Sequence, residues 1–540
     1  MQATSSSQDS VLHPVSWKAA GLAGVCALFF LGFSVEPSVF WGDSASFASH
    51  LDTDPKPFAR SYWLYKGLGK ILVWIGFTPA AAAGYASAVF AAASIGLLHA
   101  FSQRVSGSLT AGTIAAGSLC VAHTFWLHGT VAEVYSLLVL LEIGLLFLAL
   151  GAPSRREEAF GLGALAGLAL NHHRLLLFAL PVIALYLWLS TSAGQRRSCL
   201  RSVGLGLALG ALPWLFLCLT YPPSSLLSVP ENEQLSVWVQ KLLVGGRWSG
   251  SQIGAAEGES VLFSVIYLCK LLPLNFPSPA GILALLGLHT LRTFNAARQV
   301  LFVGLLIVFV LAGSLFSWTG DQYAFFTPLL PLVSLLAGIG LSHNLLARWS
   351  LLAPLAISLS IAAPPALYAV LAFGPSSSSL SPADRLERQE FLWPAKAGYD
   401  FPEEWVRDRL TELPPGARLV SQWAEGTVVE YLQERGLRPD IRLELHRSGP
   451  LDNTRLDGPV FVSWKPTRKG PPEALLSQGI QLRVIEPGMS QVVVPTSGSA
   501  GGGLDDKEAT TDTPPVAGGK ADSTAQPESN LAPPITPADP

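Results

Sequence analysis

The stretch from Gln299 to Trp318 reads QVLFVGLLIVFVLAGSLFSW and contains no charged residue. At about 1.5 Å of rise per residue, a helix of that length crosses the roughly 30 Å hydrocarbon core of a bilayer. Comparable runs recur on both sides of it, near 17–35, 80–102, 108–127, 131–151, 159–171, 174–190, 202–220, 261–288, 325–342 and 351–373. With 299–318 they make roughly eleven candidate spans by the same hydropathy criterion. The segment 159–171 is short, and 261–288 is interrupted by Pro273, Pro277 and Pro279. The first run is too long, and ends without the small-residue cleavage site, to be a removed signal peptide, so it reads as a retained helix. The expectation is a mainly α, polytopic membrane protein whose membrane domain covers residues 17–373.

Composition agrees. Of 540 residues 50% are hydrophobic and only 14% charged, with a mean hydropathy of +0.40. A soluble chain usually carries about 25% charged residues, so lipid replaces water as the solvent for much of this surface. Lys and Arg number 35 against 38 Asp and Glu, a balance that argues against nucleic acid as an electrostatic partner. The five cysteines, Cys26, Cys120, Cys199, Cys218 and Cys269, lie in apolar stretches. Their spacing gives neither a disulfide framework nor a metal cluster, and small apolar packing is their expected role.

The connections between spans set an orientation, because short loops rich in Lys and Arg stay in the cytoplasm. Arg104, Arg155 with Arg156, Arg196 with Arg197 and Arg201, Arg292 with Arg298, and Arg348 fall on alternate loops, which places residues 1–16 on that side too. The opposite, outer side receives the first loop, 36–79, and an odd number of spans leaves the C-terminal region outside as well. Lys56, Arg60, Lys66 and Lys70 in that first loop break the charge rule, and anionic headgroups or a phosphate ligand would account for them.

Beyond Pro382 the composition becomes that of a small soluble α/β domain, 382–496. Helical spacing covers Phe401 to Leu413 and Thr427 to Arg435, and strands are expected at Ala417–Gln422, Gly458–Trp464 and Val492–Val494. Residues 497–540 are Gly, Pro, Ser, Thr, Ala and Asp with few large apolar residues, the composition of a disordered tail.

Polar residues at the edges of apolar runs are the informative positions, since burial there costs several kcal/mol without a partner. The charges are expected at these edges rather than at mid-span. Three clusters fall on the outer side. In FWGDSASF (40–47), Asp43 can accept a proton from a hydroxyl nucleophile, or simply cap a helix. Just after it, Arg60, Tyr62, Lys66 and Lys70 lie in an amphipathic stretch suited to a phosphate, or to an interfacial belt of aromatics with snorkelling lysines. In HTFWLHGTVAEVYSL (123–137), Glu133 sits where a helix dipole favours an acid. His123 and His128 are five apart in a turn and match no metal-ligand motif. In LNHHRL (170–175), His172, His173 and Arg174 form a polar knot in which Arg174 is suited to a phosphate, although the knot can also cap and hydrate the turn. The loop Gly245 to Gly250, with Arg247, offers a flexible basic and aromatic cover for a lipid-linked substrate. The turn Gly320-Asp321-Gln322-Tyr323 reads as structural.

Asp43 after the first span, Phe125-Trp126 followed by Glu133-Val134-Tyr135-Ser136-Leu137, and Gly167 to His173 together resemble a large prokaryotic family of membrane proteins of unassigned function. That family is related to a eukaryotic protein O-mannosyltransferase and to the GT-C superfamily of glycosyltransferases. The segment Leu413 to Val420, with Tyr431-Leu432-Gln433 and Gly436 to Ile441, resembles the family's region after its last span. The likeness runs to about Leu445. It departs at Ser46, where relatives carry a second acid, and at Asp52 to Ser61, where they carry a His-Pro-Pro-Gly type stretch.

The resemblance implies a GT-C-like fold whose outer cavity binds a polyprenyl-phosphate sugar, mannose being the sugar that the related O-mannosyltransferase suggests, and transfers it to an acceptor hydroxyl on protein or glycan with inversion. Asp43 would be the base and Arg60 and Arg174 the phosphate partners. Glu133, His128, His172 and His173, together with Tyr62, Lys66, Trp126, Tyr135 and Arg247, would shape the substrate site. No organic cofactor is implied and no metal is assigned, with a divalent ion left open. The chain carries no P-loop or dinucleotide fingerprint. Other classes remain in view. A flippase or transporter of lipid-linked glycans calls for mid-span charges and repeats. A non-catalytic scaffold presenting the C-terminal domain would leave the second and third clusters without a purpose.

Overall fold

The computed structural model describes residues 12–52, 62–169, 172–173, 175–220, 259–315, 322–343, 352–375, 380–445, 459–465, 481–486 and 488–493. The calls at Arg60, Arg174 and Arg247, and the tail 497–540, lie outside the described residues.

Helix α1 (Trp17–Gly32) starts at Ser16, whose Oγ accepts from Ala19 N. The region expected as the first loop folds instead as two helices, α2 (Asp43–Asp52) and α3 (Trp63–Trp74). Helix α4 (Pro79–Ser106) is capped by Thr78, opens on Pro79 and stops at Gly107, at φ +72°. It is the hub of the molecule: α1, α2, α3, α5 (Leu109–Cys120) and α7 (Tyr135–Gly151) all pack on it. Its many alanines let these neighbours close in, and Ala82, Ala83, Ala86 and Ala88 are fully buried. Between α5 and α7 lies the short α6 (His123–His128). The expected outer turn 123–130 is thus mostly one helical turn, buried throughout.

Next come α8 (Arg156–Ala169), α9 (Leu175–Ser190), α10 (Ala193–Thr220), α11 (Glu259–Asn275), α12 (Pro279–Thr290), α13 (Ala296–Ser314), α14 (Gln322–Phe325), α15 (Leu329–His343) and α16 (Leu352–Phe373). Every expected span contains a helix. Among the described residues α4, α13 and α16 alone are long and apolar enough to cross a bilayer on their own. The 261–288 segment is two helices bent by 119°, a broken span or a re-entrant loop, as its prolines dictate. Large apolar side chains such as Trp74, Phe216, Ile282 and Val370 are more than half exposed, which marks them as lipid-facing.

Short helices hold their place by backbone contact. A methyl group on Gly206 of α10 would lie 2.1 Å from Phe160 O of α8, and one on Gly163 of α8 would lie 1.9 Å from Val203 O. This is the small-residue packing that lets helices associate inside a membrane. Gly287 of α12 and Gly340 of α15 meet in the same way.

One expectation about charge fails. Glu142 lies in the middle of α7, is 1% exposed, and neither of its carboxyl oxygens has a hydrogen-bond partner among the described residues. Nearer the base of the bundle, Arg104 Nη2 meets Glu158 Oε2 at 2.6 Å and its guanidinium lies over the Phe147 ring.

After α16, helix α17 (Pro382–Leu392) packs back on it and sends Trp393 against Phe373 and Trp126. The small domain then follows as α18 (Phe401–Glu412), β1 (Arg418–Ser421), α19 (Trp423–Glu434), β2 (Arg442–Leu445), β3 (Val460–Ser463), β4 (Gln481–Glu486) and β5 (Met489–Val493). The sheet order is β2-β1-β3-β5-β4, with β1 parallel to β2 and β3, and β5 antiparallel to β3 and β4. Leu419 lies level with Leu443 on one side and Phe461 on the other. Helices α18 and α19 cover that face with Trp405, Val406, Leu410, Val428, Val429 and Leu432. The same core takes in Val39, Trp41, Ala45, Ala48 and Ala80 from the beginning of the chain. Helix α2 is therefore a shared wall, set between α4 and α19.

Candidate functional site

Asp43 is the first residue of α2 and its side chain is exposed. The turn before it is fixed from the C-terminal domain. Gly42 N donates to Ala424 O at 3.1 Å, and Thr427 Oγ1 donates to Gly42 O at 3.0 Å. Gly42 adopts φ +65°, a conformation that side chains other than glycine's disfavour. On the other side Ser44 Oγ donates to Ala132 O at 3.1 Å. That bond ties the residue after Asp43 to the residue before Glu133.

Glu133 is half-buried, and its backbone is clamped by α4: Ser87 Oγ accepts from Glu133 N and donates to Glu133 O, at 3.1 and 3.0 Å. Tyr65 of α3 completes this knot, donating to Ala83 O at 2.7 Å and lying 3.0 Å from Ser87 Oγ. Beyond Glu133 runs a chain of ring contacts. Tyr62, in the left-handed region at φ +70°, meets His172 at 5.6 Å and His173 at 6.3 Å between centroids. His173 meets Tyr135 at 5.4 Å, Tyr135 meets His128 at 4.6 Å, and His128 stacks on Tyr323 at 5.7 Å. His172 is buried and donates from Nε2 to Val134 O at 2.9 Å. His128 is 2% exposed with both ring nitrogens lacking hydrogen-bond partners among the described residues.

The structure thus brings Tyr62, Tyr135, His128, His172 and His173 into one run of ring contacts, while Asp43 is joined to the Glu133 segment through the bond of its neighbour Ser44 to Ala132. Trp126 is buried, with ring contacts to Phe30, Tyr368 and Trp393. Lys66 of α3 is 3% exposed. Sequence reasoning missed Ser44, Tyr65, Ser87 and Tyr323. Ser87 offered a signal, as a hydroxyl within an alanine-rich helix, and Tyr323 lay in a turn read as structural. Among the described residues no group of three His, Cys, Asp or Glu side chains converges as a metal site.

The junction with the C-terminal domain holds a second polar cluster. Glu390 accepts from Trp41 Nε1 at 3.1 Å, from the Tyr399 hydroxyl at 3.0 Å, and from Lys465. Lys396, 2% exposed, donates from Nζ to Glu390 O at 2.5 Å and Trp393 O at 2.6 Å, while its backbone N donates to Ser34 O. Burial pulls the Lys396 ammonium down to about 7, against the upward pull of Glu390.

No protein-family model and no curated protein sequence matches the chain. The fold is nonetheless one seen before. The chain superposes on ArnT from Cupriavidus metallidurans bound to undecaprenyl phosphate with a TM-score of 0.55 at 12% identity, covering 87% of this chain and 97% of that one. The same protein in its apo state gives a TM-score of 0.54 at 14% identity over 87% and 97%. The long apolar helices and the exposed apolar side chains on them mark this as an integral membrane protein.

Proposed function

We propose that the protein is a glycosyltransferase that moves a sugar from a polyprenyl-phosphate carrier to an acceptor hydroxyl on the outer face of a bacterial inner membrane. The observation that carries the reading is Asp43, an exposed carboxylate held on a clamped turn one hydrogen bond away from the Glu133 segment. The fold supports it, because its structural relative ArnT was captured with undecaprenyl phosphate. In this scheme the Asp43 carboxylate takes the acceptor's hydroxyl proton as that oxygen attacks the anomeric carbon. The bond from that carbon to the phosphate oxygen breaks, its electron pair leaves with the polyprenyl phosphate, and the configuration inverts. Arg60 and Arg174 are the proposed partners of the departing phosphate, with Arg247 covering the lipid-linked sugar. Glu133 and the Tyr62, His172, His173, Tyr135 and His128 wall shape the donor side, and a mannosyl donor is the sugar suggested by the sequence resemblance.

One observation favours a second reading. The buried Glu142 in α7 is the kind of mid-span carboxyl found in pumps and transporters, which suits a transporter or flippase of lipid-linked glycans. Membranes carrying wild type or Asp43→Asn, supplied with radiolabelled polyprenyl-phosphate sugars and analysed for labelled protein, lipid and glycan, separate the two. Transfer by the wild type and its loss in Asp43→Asn at equal expression is the expected result. Undiminished transfer by Asp43→Asn would remove this residue from the chemistry.

A further inference from the structure

The C-terminal domain does more than cover α2. Helix α19 begins at Trp423, two of its first residues bind the Gly42 backbone directly, and its indole stands over the turn that carries Asp43. A methyl group placed on Gly42 would lie 3.8 Å from Trp423 Nε1 and 4.0 Å from Cδ1. Yet Trp423 is 44% exposed, while Trp405 and Trp464 of the same domain are 8% and 4% exposed. An indole left half in solvent against the turn that leads into an exposed Asp43 is an apolar face open to a ligand.

We propose, building on the glycosyltransferase reading above, that Trp423 is the acceptor platform of the site and that the acceptor is a saccharide. The argument is one of chemistry and position. A pyranose presents a flat face of C–H groups that packs on an aromatic ring, while its hydroxyls remain at the rim. A ring stacked on Trp423 would lie beside the turn from which Asp43 begins α2. Asp43 stands in the chain between Gly42, which Trp423 covers, and Ser44, which bonds Ala132 next to the Glu133 segment. The proposal assigns the acceptor to Trp423 and the donor to the wall of Tyr62, Tyr135 and the histidines. Because Trp423 belongs to the C-terminal domain and Asp43 to α2, acceptor choice resides in a different part of the chain from the base.

The test uses the full-length protein in lipid nanodiscs, radiolabelled polyprenyl-phosphate mannose and glucose as donors, and octyl pyranosides or a Thr-containing peptide as acceptor probes. Wild type, Trp423→Ala, Trp423→Phe and Asp43→Asn are compared. The expected result is transfer to an octyl pyranoside whose acceptor KM rises about tenfold in Trp423→Ala, the scale of one lost aromatic contact. The KM for the donor and the slow transfer of sugar to water stay as in wild type, and Trp423→Phe recovers part of the loss. A folding defect would lower the transfer to water along with the rest, so the split between the two readouts isolates contact from stability. Unchanged acceptor KM in Trp423→Ala, with wild-type transfer intact, overturns the platform and leaves the enzyme reading standing. Transfer by the wild type to the peptide alone overturns the saccharide assignment. Absence of transfer to any acceptor or to water from the wild type brings down the enzyme reading, and the platform with it.

Discussion

Replacing Lys396 by Met removes a group at the domain junction whose charge changes near neutral pH. In the folded protein the Lys396 ammonium is drawn from an ordinary 10.5 down to about 7 by burial. Once the junction opens it returns to water. Between these values the open form binds more protons than the closed one, so closure grows more stable as pH rises from about 7 toward 10.5 and is weakest below 7. Each pH unit is worth about 1.4 kcal/mol, and integrating from pH 7 to 9, with the closed form half-charged at pH 7, gives about 2 kcal/mol. Tyr399, pushed upward by burial and then by Glu390, stays neutral throughout. Glu390 and Lys465 are common to both variants and cancel in the comparison. The assay is hydrogen exchange at the amides of residues 396 and 397, which both donate to Ser34 O and so report the junction itself. Met leaves the Glu390 and Trp393 carbonyls without the ammonium, a cost of about 1–3 kcal/mol each that does not depend on pH. The opening free energy of wild type minus Lys396→Met should therefore climb by about 2 kcal/mol between pH 7 and 9. Parallel pH curves for the two proteins would show that the ammonium is not buried as described.

Gly42→Ala forces a side chain into the left-handed region at φ +65° and should lower stability by about 1–2 kcal/mol, with loss of transfer at substrate saturation, read by thermal unfolding beside the transfer assay. Gly206→Val inserts carbon where Phe160 O already approaches a methyl position to 2.1 Å. It should separate α8 from α10 and abolish the folded peak in detergent size exclusion, whereas Gly204→Val, at a glycine with open space around it, should leave that peak intact. Glu158→Leu strands the Arg104 guanidinium, whose side chain is 6% exposed, and should cost about 3–5 kcal/mol by thermal unfolding.

Helix positions were legible because apolar run length carries most of the information about a membrane helix, and every expected span from 17–35 to 351–373 contains one. The number of straight crossings was not, because α8 and α12 are short and rely on glycine contacts with α10 and α15 that only the fold reveals. The strands β1, β3 and β5 announced themselves through apolar clusters at 417–422, 458–464 and 492–494. Strands β2 and β4 alternate charged and apolar residues, as in Arg442-Leu443-Glu444-Leu445, too briefly to stand out. At the site, Tyr62, Tyr135, His128, His172 and His173 could be named from their polarity at span edges, and the structure brings them into contact. Trp126 could not be separated from them, since an aromatic beside a histidine reads the same whether it lines a cavity or fills a core. Glu142 was overlooked because one acid in a long apolar run hardly changes its hydropathy. Trp423 had no signal at all: its meaning comes from Gly42, and nothing local in the sequence joins the two.

The shared wall formed by α2 also bears on how a scaffold could be told from an enzyme. Deleting residues 382–496 strips Trp405, Val428 and their neighbours from Trp41, Ala45 and Ala48, so such a deletion disables either kind of protein, and point variants such as Asp43→Asn are the discriminating ones.

Thr427 and Gly42 are 385 positions apart along the chain, and a ribosome emits them in that order. The turn bearing Asp43 emerges early, with its glycine backbone unbonded and one flank of α2 bare, and waits while the intervening helices enter the bilayer. The site is completed only when α19 has been made and has docked. A nascent chain, or one cut short anywhere before that helix, keeps its carboxylate without the two bonds that hold Gly42, so on the proposed reading competence for transfer is acquired at the end of synthesis.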